Sequence, residues 1–240
     1  MQEEVAVVLL EIAVTTVEDA LIAQENGADR MVVMSSVGNE GVTPSFGLVE
    51  EIKKFSFVPL SVLIQPHCQT YAYNKYDVKT MCRDIEMMKE LKVEGVSFGC
   101  LTKEGEIDKQ MLELLLYRAR GMHVSFHNAF DFIKDQGEAL ELLAQYKEVK
   151  SVWTSGRERT ALNGLPHIKR LLKKSNRPHL TGCRGLKPEN LKAFLDVTDV
   201  EEVHLFSGVR ESCHVRKPIS AKSVAKAKEI VELINKKREK

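Results

Sequence analysis

Glu11 is the one charged residue in the apolar run Val5–Val14, and alternation puts it on the same face as Leu9 and Ala13. A carboxylate on a buried face is costly unless paired or hydrogen-bonded. It therefore reads as a general acid/base or ligand, or as half of a structural ion pair. His127 and Asp131 follow a second apolar run, Met122–Phe126. His127 there could shuttle protons or bind a metal with Asp131 orienting it, or serve as a hydrogen-bonded core residue. Gln65, Ser125 and His127 take alternate positions, so Gln65 and His127 can face one interior, with Asn128 beside them. Thr154-Ser155-Gly156, Gly182-Cys183-Arg184-Gly185 and Ser207-Gly208 each end an apolar run. Backbone N–H groups in the last two turns suit an anion, and Arg184, Arg157 and Arg159 add positive charge. The plainer reading is turn chemistry, with glycine where φ must be positive. His67, Cys68, Cys100 and Cys183, near His127 and Met34, are ligand types for a soft ion such as Cu(I). No close spacing fixes a cage, so small buried thiols remain the competing reading.

These residues need a frame that brings the ends of apolar runs together. Such runs alternate with amphipathic stretches along the chain. Strands are expected at Val5–Val14, Met31–Met34, Leu60–Ile64, Val93–Phe98, Met122–Phe126, Ser151–Trp153, His179–Thr181 and Val203–Phe206. Helices are expected at Val17–Gln24 behind a Thr16 cap, from Ser45 through Lys54, and at Asp77–Leu91. Others run from an Asp108 cap to Arg118, over Gly137–Tyr146, within Glu158–Lys174, from Pro188 to Leu195, and over Val224–Ile234 behind Ser220. Eight strand–helix units in 240 residues suit an α/β fold, a TIM-like (β/α)₈ barrel forming a single domain over residues 1–240, with a short basic tail from about Lys236. A doubly wound sheet shares the local pattern, but no glycine-rich fingerprint follows the first strand. In a barrel the sites above fall at the C-terminal strand ends, where barrel active sites lie.

Composition narrows the function classes. Thirty-five basic against 34 acidic side chains leave a net charge of +1, which gives no support for nucleic-acid binding. No apolar run is long enough to span a membrane. The acidic start Met1-Gln2-Glu3-Glu4 does not look like a secretory signal, so a cytoplasmic location is expected. The five cysteines are odd in number and widely spaced, as free thiols would be in a reducing compartment.

Longer motifs carry a resemblance. They are Ala20-Leu21-Ile22-Ala23-Gln24-Glu25-Asn26-Gly27-Ala28-Asp29-Arg30, Glu40-Gly41-Val42-Thr43-Pro44-Ser45, and Phe98-Gly99-Cys100-Leu101-Thr102 with Gly105 and Asp108. Phe126-His127-Asn128-Ala129-Phe130-Asp131, Thr154-Ser155-Gly156 and Glu189-Asn190 complete them. In order and spacing the chain resembles the copper homeostasis protein CutC family from Leu10-Glu11 to about Gly208. The resemblance implies a TIM-like barrel, a homo-oligomer in the cytoplasm, and a link to copper tolerance and copper binding. It also marks departures. Family cysteines are replaced by Ala13 and Met34, a glutamate by Val32, an Arg-Pro-Arg-Gly-Gly stretch by Gln65-Pro66-His67-Cys68-Gln69, and an arginine by Asn128. An acid and several arginines are thus lost together, which spares the fold a stranded buried charge costing about 3–5 kcal/mol.

Three readings follow. The first is a copper homeostasis protein with Cu(I) at His67, Cys68, Cys100 and Cys183. The second is a barrel enzyme for a small phosphorylated or carbonyl substrate. Glu11 and His127 would then be acid/base and Asp131 the orienting group. Gln65, Asn128, Thr154, Ser155, Gly156, Gly182, Arg184, Gly185, Ser207 and Gly208 would bind the ligand. The third is a non-catalytic scaffold with a filled mouth. The expected partner is a small anionic molecule or metal ion.

Overall fold

A computed structural model describes residues 7–37, 40–174 and 177–240. In chain order it contains β1 Leu9–Val14, α1 Val17–Glu25, β2 Arg30–Val33, β3 Ser35–Val37, β4 Glu40–Val42, α2 Phe46–Phe55, β5 Leu60–Leu63, α3 Lys75–Glu90 and β6 Gly95–Phe98. It continues with α4 Lys109–Arg118, β7 His123–Phe126, α5 Gln136–Leu143, β8 Val149–Thr154, α6 Leu165–Leu172, β9 His179–Gly182, α7 Pro188–Leu195, β10 Glu202–Leu205 and α8 Ala221–Arg238. Eight strands form a closed parallel barrel in the order β1-β10-β9-β8-β7-β6-β5-β2, so the barrel has no open edge. β3 and β4 stand outside it as an antiparallel pair at the mouth. Three-residue strands carry no readable period, and nothing in the sequence pattern announces them. The Val5-Ala6 start of the first expected strand lies outside the described residues.

Local chemistry starts the helices where the sequence places their caps. Thr16 accepts from the Asp19 N–H at 3.0 Å, and Asp108 from the Met111 N–H at 3.0 Å. Asn74 and Asp77 form a reciprocal capping box that starts α3 two residues before the point read from the pattern. α8 runs through Arg238, so the basic tail is mostly helix. Arg238 donates to the carbonyls of Thr198 and Val200 at 2.8 and 3.0 Å and ties the last helix to the β10 approach.

Side chains sort by alternation. Outward residues such as Leu10, Ile12, Met31, Val33, Val203 and Leu205 are buried against the helices. Inward residues divide into two levels. Arg30, Glu11, Glu202 and His204 occupy the lower part, and Ala13, Val32, Met34, Leu63, Trp153 and Cys183 pack above them with Phe206. Beside the mouth, Arg210 donates to Asp19 at 2.8 Å, and Asp19 also takes the Ile219 N–H at 3.1 Å. This buried pair clamps the segment after β10 onto the start of α1.

Candidate active site

Glu11 is fully buried, and its neighbours come from the two flanking strands. The register sets Arg30 of β2 on one side and His204 of β10 on the other. Arg30 Nε donates to Glu11 Oε2 at 2.5 Å, and Arg30 Nη2 donates to Glu202 Oε2 at 2.7 Å. Thr181 Oγ1 donates to the same Glu202 oxygen at 2.8 Å. His204 Nδ1 lies 2.7 Å from Glu11 Oε1. Burial alone would push the Glu11 carboxyl up, but Arg30 and the His204 hydrogen bond outweigh it and hold it down at about 2. Burial likewise opposes the Arg30 charge, and Glu11 and Glu202 outweigh it and raise its pKa. Glu11 is therefore a carboxylate, and His204 Nδ1 is the donor between them. Its tautomer is fixed by that bond, leaving Nε2 as the nitrogen available to a ligand.

His204 lines a cavity of about 520 Å³ at the mouth of the barrel. Trp153 stacks on its imidazole with ring centroids 4.2 Å apart and planes at 31°. The indole is 4% exposed, and its N–H has no acceptor among the described residues. Gln65, Asn128, Arg184, Gly185 and Ser207 border the same cavity, joined by Arg159. A mouth of this volume is open space within the usual range for small-molecule sites, not a plug of side chains.

The other expected ligand groups lie elsewhere. Thr154 and Ser155 turn to Asp131, whose carboxylate accepts from Thr154 Oγ1 at 2.6 Å, the Ser155 N–H at 2.8 Å and the Arg157 N–H at 3.3 Å. Gly156 packs on the backbone of Gly164, where a Cβ would come within 2.5 Å of the Gly164 carbonyl oxygen. Gly182 sits against the Phe194 ring, and Gly208 against the Leu186 carbonyl. Asp131 therefore staples the turn after β8 rather than orienting His127.

His127 is also differently employed. Its Nδ1 accepts the Ala129 N–H at 3.1 Å, capping the 3₁₀ turn Asn128–Phe132. The ring is fully buried beneath Tyr71, with centroids 5.3 Å apart, and Nε2 has no partner among the described residues. Burial lowers its pKa to about 3. His127 does not border the mouth cavity, and Glu11 is paired with His204 instead. Arg30, Glu202 and His204 escape a reading that looks for chemistry at the C-terminal strand ends, because Arg30 and Glu202 open β2 and β10 and His204 is the third residue of β10. The available signal is spacing: Glu202 and His204 alternate on one strand face, as Glu11 does two residues before Ala13.

The thiols and imidazoles do not assemble into the expected Cu(I) site. Among the described residues no three His, Cys, Asp or Glu side chains converge as a metal cage. The Cys100 thiol is buried against the Asp108 carbonyl at 3.7 Å, and Cys183 is buried in the mouth lining. Burial raises both thiol pKa values, disfavouring the thiolate that metals require. Cys68 is exposed beside Gly41, while His67 Nε2 lies 3.3 Å from Asp77. Each group lies near a strand end, but each turns to a different partner.

Comparison with known proteins agrees with this architecture. The model of the CutC family matches residues 8–209. A family protein CutC from Glaesserella parasuis serovar 5 is 34% identical over 206 residues, 85% of this chain and 84% of that protein. The Homo sapiens copper homeostasis protein cutC homolog is 35% identical over 197 residues, 82% of this chain and 72% of that one. The crystal structure of the putative copper homeostasis protein CutC from Streptococcus agalactiae superposes with a TM-score of 0.77 at 24% identity, covering 82% of this chain and 97% of that one. Phosphoribosylanthranilate isomerase from Thermotoga maritima aligns with a TM-score of 0.61 at 17% identity over 94% of this chain and 98% of that one, a likeness of fold alone. Motif order, the closed barrel, the match over residues 8–209 and relatives about a third identical over four fifths of the chain make this protein a member of the CutC family.

Proposed function

We propose that this chain works in copper homeostasis, the role stated in the name of its human relative, and that it does so by acting on a small anionic molecule at the barrel mouth. The observation that carries the second part is the Glu11–His204 pair opening onto a cavity of about 520 Å³. A carboxylate on Nδ1 orients the imidazole and stabilises the cation formed when Nε2 accepts a proton. Two carboxylates face one guanidinium in this group, so a proton arriving on His204 brings it to neutrality. The proton returns from Nε2 to another atom of the same molecule, and the cycle needs no oxidant or reductant. Gln65 and Asn128 on the cavity wall supply amide groups to orient polar atoms of the ligand.

The test compares wild type with His204→Asn, whose amide can still donate to Glu11. Each is incubated with a small-molecule extract, and depletion is followed by chromatography coupled to mass spectrometry, which separates isomers of equal mass. Wild type should consume at least one anionic compound that the variant turns over more than about a hundredfold more slowly. Identical depletion by both chains would overturn the role of His204.

The donor set does not fit a resident copper ion, so no step is routed through one. Anaerobic Cu(I) titration of the reduced protein should therefore give the same stoichiometry for wild type and a Cys68→Ser/Cys100→Ser/Cys183→Ser variant. A tight equivalent lost in the variant would restore the thiol site. The compartment proposed is the cytoplasm, supported by five cysteines that form no disulfide. Among the described residues no helix is long and apolar enough to cross a membrane. Self-association is proposed through the exposed Phe55 and Phe57, which are 57% and 71% accessible.

A further inference from the structure

We infer that the mouth cavity takes a single flat oxo-heterocycle, a ring whose edge carries neighbouring C=O and N–H groups, held at that edge by the Gln65 and Asn128 amides. This deepens the proposed function and rests on its choice of site. Gln65 is 2% exposed, yet it borders the cavity. Its amide nitrogen reaches the Cys68 thiol at 3.7 Å, and nothing among the described residues donates to its amide oxygen. Asn128 borders the same space, and its side-chain amide makes no hydrogen bond to a described residue. A buried carboxamide in this state is costly unless a ligand completes it. Each carboxamide presents a donor beside an acceptor, the complement of a C=O next to an N–H. Gln and Asn make the same paired bonds to the edge of adenine.

Most of the remaining wall is apolar. Met34, Leu63, Trp153 and Cys183 are buried members of one cluster with Phe206 packed against it, and all five border the cavity. A compound with polar edges and apolar faces satisfies both parts of the lining. A polyol would set hydroxyls against the apolar side chains, and an alkyl chain would leave the amides unpaired. The ring also suits an anion. Charge spread over conjugated carbonyls is cheaper to take out of water than charge held on a carboxylate or phosphate, so it needs no fixed cation beside it.

Topology sets the size. Going round the barrel from His204 on β10, one path reaches β5 and Gln65 through β1 and β2. The other reaches β7, which Asn128 follows, through β9 and β8. The two amides therefore flank the point opposite His204. The interior of an eight-stranded barrel has room for one small ligand across that span. A single ring fills it with its amide edge at Gln65 and Asn128. Its far edge meets His204 Nε2, the nitrogen that the Glu11 bond leaves available.

The test uses barbiturate, 1,3-dimethylbarbiturate and benzoate. All three are flat anions, and of these only barbiturate keeps N–H groups on its edge. Binding is read from the emission of Trp153, the single tryptophan of the chain, which borders the cavity. Barbiturate should bind about tenfold or more tightly than either of the others, because methylation leaves an amide acceptor unpaired. A Gln65→Met/Asn128→Ala variant should bring barbiturate and its dimethyl derivative to equal affinity. Equal binding of the two by wild type, a comparison that needs no variant to fold, would overturn the inference. So would unchanged emission with barbiturate, or discrimination that persists in the double variant. Such a failure is separable from failure of the His204 reading, which the extract experiment measures by turnover and without reference to these amides.

Discussion

Replacing Arg30 by methionine should lower the free energy of unfolding by about 3–5 kcal/mol, read from urea denaturation at neutral pH. Among the described residues the guanidinium is the one cation that touches both Glu11 and Glu202, at 2.5 and 2.7 Å, inside the barrel. Methionine fills much of the same volume but leaves two carboxylates buried with no counter-charge between them. For a chain of this size the loss corresponds to a fall in Tm of roughly 6–20 °C. Adding Glu11→Gln and Glu202→Gln to Arg30→Met should recover much of the loss, because the stranded charge causes it rather than the missing contact. The sign of the pH dependence follows from Glu11. Its folded pKa of about 2 lies below the unfolded value of 4.5. The pair's contribution is therefore fully present above about pH 4.5 and is lost as pH falls toward 2, where wild type and variant should converge. A loss under about 1 kcal/mol at neutral pH would mean that water reaches these carboxylates, as it does surface pairs.

Glu11, Arg30, Glu202 and His204 show what the sequence could and could not disclose. Barrel architecture was legible because eight apolar runs alternate with capped amphipathic stretches, and local chemistry at Thr16, Ser45, Asp108 and Ser220 agrees with the global fold. Glu11 was legible as a buried carboxylate because it interrupts an apolar strand. Its partners were not. Arg30 falls one residue before the second strand as the pattern reads it, and in a β-strand one residue decides which face is occupied. His204 lies 193 residues from Glu11. Only barrel closure, pairing β1 with β10, makes them neighbours. His127 and Asp131 are four residues apart and look like a pair, yet the turn after β7 points the imidazole at the Ala129 N–H and the carboxylate at residues 154–157. Proximity along the chain is a poor guide in a fold built from contacts across strands. The scattered thiols teach the same lesson: lying near one mouth does not make side chains converge.

His127 should make the protein acid-sensitive well above the range of its carboxylates. Burial holds the folded imidazole at about 3, whereas the unfolded chain takes up a proton near 6.5. A depressed folded value gives stability that is present above pH 6.5 and lost as pH falls toward 3. Each pH unit in that window costs up to about 1.4 kcal/mol, so the full contribution approaches roughly 5 kcal/mol. Asparagine is the informative replacement, because the amide oxygen introduced by His127→Asn would still accept the Ala129 N–H and cap the same turn. That variant lacks the titrating group, and the stability gap between the two chains should move in its favour steadily from pH 7 to pH 4 in parallel urea titrations. His123 and His167, whose pKa values burial also lowers, are present in both chains and cancel in the comparison. A gap that did not change with pH would show that the folded imidazole titrates normally. The expected result also bears on catalysis. Burial lowers the pKa of this ring to about 3 and its acceptor nitrogen is bound to the Ala129 N–H, which places it poorly to take a proton from a ligand near pH 7. His204 is placed differently: a carboxylate sits on Nδ1, Trp153 covers one face, and the cavity adjoins it.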